Sequence, residues 1–584
     1  MIYCGPYGVR AYPLDLHTVS MTLQAKKNDL KSCYLVHGDP WEPYVSMRTV
    51  RMDKIATDDS FDYFRIIVKV PSRRVRYVFL IDKGKKQLWY SEMGLTPKKP
   101  EVGELGFPYF EILNNRKDDV FIAPEWAKGA VAYQIFPDRF YNGDKTNDPP
   151  NIKKWGKLPL TRDTFYGGDL HGIIEKIPYL SELGIDLIYL TPIFSSPSTH
   201  KYDTTDYYQI DPHFGDLKTF KELVKKCHEN NIKVILDGVF DHCGYNFWAF
   251  QDVMRKGLKS GYVDWFNIYS FPIKTRPKPT YETWGKDLWW MPRLMTENPE
   301  VRRYLLDVAV YWIKEAGIDG WRLDVASELG HDFLREFRKA IKKTNPDAII
   351  IGEIPHFASP HLEGDQCDSV MNYPFRQAVI DFFAKGTINA EEFDARLAKI
   401  RMIYKEPVNH VLYNLIGSHD TVRFLSLCGN KIEKMMLATI FQFTYTGMPA
   451  IYYGDERGMV GGSDPDCRRC MDWGELKGQK LKLFELYKKL ISLRKAHPAL
   501  KTGEFFTHFV DRKDNLYSYL RRSESQEILI VLNNSAKTCR VAVPSPKSWA
   551  GTVIDLLEGG KYEIVRGKIR ASLGPYSGLI LKTA

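Results

Sequence analysis

Apolar and polar residues alternate in three different rhythms along the 584-residue chain. Up to about residue 110, apolar positions alternate with polar ones in short runs: TVSMTLQA (18–25), SCYLVHG (32–38), FDYFRIIVKV (61–70) and VRYVFLID (75–82). A period of two over such lengths predicts half-buried strands, and several in succession predict a β-sandwich. After Gly129 the runs become nearly continuous in apolar residues. They alternate with segments whose apolar positions fall three and four residues apart, the pattern of strands each followed by an amphipathic helix. Strands are predicted at 130–136, 186–192, 233–240, 320–325, 348–354, 369–373, 411–418 and 450–456, with helices such as 171–184, 216–231 and 299–317 between them. From about residue 505 short strands return, at 515–523, 527–535, 552–557 and 577–583.

Eight strand–helix units predict an α/β fold, a (β/α)8 TIM barrel whose active site lies at the strand C-termini. The expected organisation is an N-terminal β-sandwich over 1–123, a catalytic barrel over 124–504 with a loop subdomain after strand 3 at about 243–297, and a C-terminal β-sandwich over 505–584. A chain of this length exceeds one hydrophobic core, so roughly two to four domains are expected in any case.

Composition narrows the setting. Apolar residues make up 44% and charged residues 26%, ordinary values for a globular protein, and no apolar run is long enough to span a membrane. The net charge of +10, from 82 basic and 72 acidic residues, is spread along the chain, so nucleic-acid binding is not indicated. The first fifteen residues lack the apolar core of a secretory signal, and nine cysteines stand without disulfide rhythm. Both features place the protein in the cytoplasm. Cys467 and Cys470 have metal-like spacing but no second pair, which favours plain thiols.

Candidate chemistry appears where polar residues close apolar strands: Asp237 and His242, Arg322 and Asp324, Glu353, and His419 with Asp420. One such residue could cap a helix or bind a backbone amide. Four strand ends together crowd four carboxylates into one cavity, an arrangement that repulsion disfavours unless function requires it. Two carboxylates on neighbouring strands, about 5 to 5.5 Å apart, are what retaining glycoside hydrolysis needs. Arg322, on the same strand face as Asp324, can keep that carboxylate ionised.

DGVFDH, GWRLDVASE, GEIPH and IGSHD, in this order across roughly 130–470, resemble the four short conserved regions of the α-amylase superfamily. The resemblance implies that Asp324 is the nucleophile, Glu353 the acid/base and Asp420 the third carboxylate, with Arg322, His242 and His419 binding the sugar at the cleavage point. HKYDTTDYYQIDPHFGD (200–216) is similar to the family loop that supplies an aromatic platform, here Tyr202. MPRL (291–294) and the N-terminal sandwich resemble the subfamily of cyclomaltodextrinases, neopullulanases and maltogenic amylases. The resemblance therefore implies cyclodextrin and maltodextrin substrates and a homodimer in which one N-terminal domain covers the partner's cleft.

Asn142, Asp144, Asn147, Asp148 and Asp169, with the Gly167 carbonyl, are hard oxygen donors in a glycine-containing loop, a set that suits Ca²⁺. They also resemble a calcium site of the subfamily. Three positions depart from the family pattern: Asp241 in place of Asn, Ser327 in place of Asn, and Pro355 in place of Trp. Asp241 sets a negative charge beside His242, and Pro355 bears on acceptor sugars. A transglycosylase, with Trp284, Trp289 and Trp290 as acceptor-side candidates, is the alternative, and a catalytically dead sugar-binding relative is the other.

Overall fold

Eight parallel strands form the centre of the molecule: β1 (Ala132–Ile135), β2 (Leu187–Leu190), β3 (Lys233–Gly238), β4 (Gly320–Leu323), β5 (Ile349–Gly352), β6 (Ser369–Val370), β7 (Tyr413–Leu415) and β8 (Met448–Tyr452). The computed structural model describes residues 2–4, 8–42, 46–103 and 106–584. It orders these strands β6-β5-β4-β3-β2-β1-β8-β7, and a parallel bridge from Met371 to Tyr413 joins the last two edges into a barrel. All eight lie in the predicted runs, apart from two residues by which β8 starts early. Every residue of β1, β2, β4 and β5 is buried, because one face meets the barrel interior and the other the surrounding helices. Burial on both faces is why these runs are apolar throughout rather than alternating.

The helices follow from local signals. Asp216 caps Leu217–Glu229 by accepting from the Thr219 amide, and Asn298 caps Pro299–Ala316, which ends at Gly317 with φ of 72°. The helix predicted over 171–184 is instead two, Leu170–Glu175 and Ile177–Leu183, broken at Lys176. Pro178 has no N–H to continue the first helix but fits the first turn of the second.

The N-terminal strands pair as Thr18–Lys26 with Phe61–Lys69 in one sheet and Ser32–Gly38 with Val75–Asp82 in the other. Val19, Met21, Leu23, Leu35, Tyr77 and Phe79 meet in one core between the sheets. The sandwich rests on the barrel flank, where Ala56 and Tyr63 pack on Ala398, and the Tyr12 hydroxyl accepts the Glu406 amide at 2.8 Å. At the other end an eight-strand ladder from Glu504–Asp511 to Cys539–Pro544 folds over a core that includes Leu529, Val541, Ile569 and Leu581. Between β3 and β4 a loop subdomain is pinned to the helix Pro299–Ala316 by Trp248 and Trp265 packed against Tyr304. Among the described residues no helix is long and apolar enough to cross a membrane.

Arg494, fully buried in the helix Gly478–Ala496, ties these parts together. It donates to the carbonyls of Gly129, Phe443, Tyr445, Leu500 and Gly447, joining the start of β1, the turn before β8 and the approach to the C-terminal ladder. Burial, reinforced by Arg521 and only partly opposed by Asp186, pulls this guanidinium down to about 9. Arg494→Met would strand five buried carbonyls, each costing about 1–3 kcal/mol when unpaired. The expected outcome is a loss of more than about 3 kcal/mol of unfolding free energy, with normal turnover in whatever fraction stays folded. Chemical denaturation monitored by fluorescence checks it, and a midpoint equal to that of the parent protein would contradict it.

Candidate active site

Strand register sets the site. Asp237 on β3 pairs directly with Arg322 on β4, and Leu323 on β4 pairs with Gly352 on β5. The next residues beyond that second pair are Asp324 and Glu353. Neighbouring strands lie about 4.8 Å apart, so the two carboxyl side chains spring from the same level of adjacent strands. Arg322, fully buried, sits among them: Nη1 donates to Asp237 Oδ1 at 2.8 Å and to Asp324 Oδ1 at 2.7 Å, while Nη2 lies 2.7 Å from Glu353 Oε2.

Glu353 is held from two further directions. Tyr373 donates its hydroxyl to Oε1 at 3.2 Å, and the Val325 amide donates to Oε2 at 3.1 Å. Val325 adopts φ of 38° and ψ of 45°, a left-handed conformation that a β-branched residue rarely takes. Strain of this kind, about 1–3 kcal/mol, persists where surrounding structure enforces it. Here the turn aims a backbone donor at the neighbouring carboxylate.

Burial, with the charges of Glu353 and Asp237 beside it, pushes the Asp324 carboxyl well above the usual carboxylate range, and Arg322 opposes the shift. Burial also raises Asp237, against the same guanidinium. One positive charge thus faces three carboxyls, two of them buried. Asp420 differs. Burial would raise it too, but His419 and Arg468 outweigh that effect and hold it well below the usual range.

A second network joins Asp237 to Asp420. Asp237 Oδ2 accepts from the hydroxyls of Tyr189 at 2.5 Å and Tyr202 at 2.9 Å, and Tyr202 lies 2.7 Å from His419 Nε2. The Tyr202 and His419 rings are parallel, 5.4 Å between centroids. The Gln134 side-chain amide donates to His419 Nδ1 at 2.7 Å, which leaves the ring proton on Nε2, facing Tyr202 and, at 2.9 Å, Asp420 Oδ2. Arg468 reaches Asp420 Oδ1 at 2.9 Å and the His419 carbonyl at 2.8 Å.

His242 stands at the opposite side, stacked on Trp284 with centroids 5.3 Å apart, and both its ring nitrogens are buried without a hydrogen-bond partner. Asp241 lies 3.6 Å from its Nδ1, yet the carboxylate is engaged by Arg293, whose Nη2 and Nε approach Oδ1 at 2.8 and 3.1 Å. Arg293 also pairs with Glu282 and Glu328 and forms a backbone bridge with His242. The charge of Asp241 is therefore met by the loop subdomain instead of being left to the histidine. Ser327 and Pro355 are exposed.

The candidate metal ligands also converge. Asp169 accepts from the amides of Gly172, Asp144 and Gly143, and the Asn142 side-chain nitrogen donates to Asp148 Oδ1 at 2.7 Å. A Cβ at Gly167 would lie 2.1 Å from Asp148 Oδ1, so only glycine lets the loop close. The side-chain oxygens of Asn142 and Asn147 are buried without partners. Among the described residues no group of three or more His, Cys, Asp or Glu is placed to hold a metal. The unpaired Asn142 and Asn147 oxygens beside the aspartates are all hard oxygen donors, a set that would suit Ca²⁺ better than a transition metal.

The cluster brings together six of the seven residues expected around the cleavage point, Asp324, Glu353, Asp420, Arg322, Tyr202 and His419, while His242 sits against Trp284 and Asp241. It adds Tyr189, Gln134, Tyr373 and Arg468, and of the acceptor-side candidates it places Trp284 against His242. Gln134 left a trace, a polar residue inside AYQI, but a tyrosine in an apolar strand and an arginine in a long loop leave none. Trp289 and Trp290 pack beside each other, and Trp289 meets Tyr245.

Comparison with known proteins supplies the family. Residues 134–478 match the alpha amylase catalytic domain, residues 1–111 the alpha amylase N-terminal ig-like domain, and residues 507–580 the maltogenic amylase C-terminal domain. The chain is 52% identical over 527 residues to the cyclomaltodextrinase of Thermoanaerobacter pseudethanolicus, covering 90% of this chain and 91% of that protein. It is 47% identical over 577 residues to neopullulanase 2 of Thermoactinomyces vulgaris, covering 98% and 97%. A solved cyclomaltodextrinase structure superposes with a TM-score of 0.94 at 42% identity, covering 100% of this chain and 99% of that one.

The Asp241–Arg293 pair generates a prediction. Asp241→Asn and Arg293→Met should each lower kcat/KM, and the double variant should lose less than the sum, with a coupling of about 1–3 kcal/mol. Strict additivity in a double-mutant cycle would show that the pair does not position the His242 loop.

Proposed function

The chain belongs to the α-amylase family and is a glycoside hydrolase, and we propose that it cuts α-1,4-glucosidic bonds, and α-1,6 bonds where pullulan presents them, with retention of configuration. Its proposed substrates are cyclomaltodextrins, pullulan and short maltodextrins. The observation that carries the reading is the placement of Asp324 and Glu353 at matching register on adjacent strands, both on one guanidinium. That proximity matches the short spacing of a retaining pair, about 5 to 5.5 Å, rather than the wider gap that admits a water.

In this mechanism an Asp324 oxygen bonds to the anomeric carbon as the glycosidic bond breaks, and the Glu353 proton goes to the departing oxygen. A water molecule then attacks the glycosyl ester, gives its proton to Glu353 and frees Asp324. Arg322 bonds to Asp324 and opposes the rise that burial imposes on the nucleophile. Asp420, kept ionised by His419 and Arg468, accepts sugar hydroxyls. Tyr202, fixed flat beside His419, is the platform beneath the ring, where an aromatic face meets apolar C–H groups. His242 and His419 hold hydroxyls at the cleavage point, a role supported for His242 by its two unpartnered nitrogens.

Ca²⁺ is assigned to Asn142, Asp144, Asn147, Asp148, the Gly167 carbonyl and Asp169. Support comes from the unpaired amide oxygens and the all-oxygen donor set. The ion would brace the loop after β1 and take no part in the chemistry.

A homodimer is part of the same reading. Of sixteen exposed large hydrophobics among the described residues, nine lie within residues 1–123, including Trp41, Met93 and Phe107. That is far above the share expected of roughly a fifth of the chain, as at an interface. The sandwich touches its own barrel near Met402 and Glu406, which precede β7 and so lie away from the strand C-termini. A cover over the cleft would then come from a second copy related by two-fold symmetry. Nine reduced cysteines, eight of them buried, support a cytoplasmic setting.

Asp324→Asn or Glu353→Gln should lower kcat by about 10³-fold or more with little change in melting temperature. Near-normal turnover in either variant would end the proposed roles. EDTA should lower the melting temperature more than it lowers activity at moderate temperature, and purified protein should contain calcium by elemental analysis; no metal and no shift would remove the ion. The intact protein should be a dimer by light scattering and prefer β-cyclodextrin to starch. Deleting residues 1–123 should weaken both properties, and a monomer that cleaves starch as readily would defeat that arrangement.

A further inference from the structure

A hollow of about 970 Å³ lies outside the carboxylate cluster, between the loop after β1 and the loop after β8. Asp324, Glu353 and Asp420 do not line it. Its volume is that of a small-molecule site. Four aromatic rings line it: Tyr141, Trp155, Tyr166 and Trp473. The Trp155 indole donates to the Met471 carbonyl at 3.0 Å and the Trp473 indole to the Phe140 carbonyl at 2.6 Å. The polar edges of both tryptophans are thus satisfied; Lys176 already lies 3.7 Å over the Tyr141 ring and 4.8 Å over that of Trp473, so a ligand meets the ring surface that remains.

Charge fixes the class of ligand. Five cations line the cavity, Lys145, Lys153, Lys154, Arg469 and Lys480, against two acids, Asp148 and Asp472. Lys153 donates to the Pro159 carbonyl and Arg469 is paired with Asp466. Lys145, Lys154 and Lys480 have no ion-pair or hydrogen-bond partner for their side chains among the described residues. A concave, aromatic-walled space with excess positive charge concentrates anions. The rings add an apolar surface that bare phosphate cannot use.

The cavity also shares a wall with the catalytic centre. Arg468 holds Asp420, and the residues that follow it, Arg469, Cys470 and Met471, line the hollow. The segment that fixes the third carboxylate thus continues directly into the wall of the hollow.

We propose that this cavity binds a phosphate ester bearing a sugar or nucleoside ring, and that its occupancy alters catalysis through the Arg468 segment. Binding does not depend on the roles given to the carboxylates, whereas the effect on catalysis rests on the proposed role of Asp420. The experiment follows thermal unfolding of the intact protein with glucose 1-phosphate, ATP, inorganic phosphate and maltotriose, alongside the Lys145→Ala/Lys154→Ala/Lys480→Ala variant and the single Lys154→Glu variant. One or both ring esters should give a saturable rise on the order of 1 °C at about ten times Kd, and the response should be lost in the triple variant and weakened in the single one. Which ester acts separates a sugar phosphate from a nucleotide. Both variants should retain parental kcat/KM without ester, and saturating ester should change kcat/KM of the parent alone. The proposal is overturned if neither ester shifts the parent, if inorganic phosphate or maltotriose reproduces the lysine-dependent shift, or if the triple variant responds as the parent does. Lysine-dependent binding that leaves kcat/KM untouched overturns the link to catalysis.

Discussion

Three acidic side chains, Asp237, Asp324 and Glu353, meet at the end of the barrel, and the guanidinium of Arg322 is what lets them share that space. Placing like charges side by side in a low-dielectric interior is costly unless a counter-charge bonds to them. Only arginine presents several donors in a rigid plane, so a lysine here could not reach three carboxyls at once. The arrangement also requires β3, β4 and β5 to keep their register, since a slip of one residue would turn Arg322 out of the barrel. Much of the remaining structure secures that register: helices packed outside the strands, Arg494 closing the far end, and the loop subdomain gripping the end of β3 through Arg293.

The same constraint explains the division of labour among the carboxyls. Those around Arg322 outnumber its positive charge, and burial raises Asp324 and Asp237. Asp420 has its own partners, His419 and Arg468, and stays ionised. Tyr189 and Tyr202 both donate to Asp237, so that carboxyl serves as a brace between the two groups.

Much of this was legible in the sequence for identifiable reasons. Barrel strands are buried on both faces, so their apolar runs stand out, and a charged residue closing such a run stands out further. Asp324, Glu353, Arg322 and His419 were found in that way, and the N-terminal strands by their period of two. The break at Lys176 was hidden because Pro178 interrupts a helix pattern without disturbing its apolar spacing. Arg468, Arg293 and Tyr373 were not legible. They act from long loops or from distant helices, where no periodicity marks a residue that reaches the site. Asp241 was read through its neighbour His242, when its decisive partner is fifty residues away in sequence and meets it only once the loop subdomain folds back. The cavity between the loops after β1 and β8 had no sequence signature, because it exists only where two segments about three hundred residues apart come together.

The central claim is that Asp324 and Glu353, held at one level by Arg322, act as a retaining pair. Proton NMR of the first sugar released, read within seconds before mutarotation mixes the anomers, tests it most directly. Two inversions at the same carbon give the α-anomer first, with the β-anomer growing in only at the rate of mutarotation. A β-anomer appearing first would mean a single inversion by water, and the account of this site would be wrong.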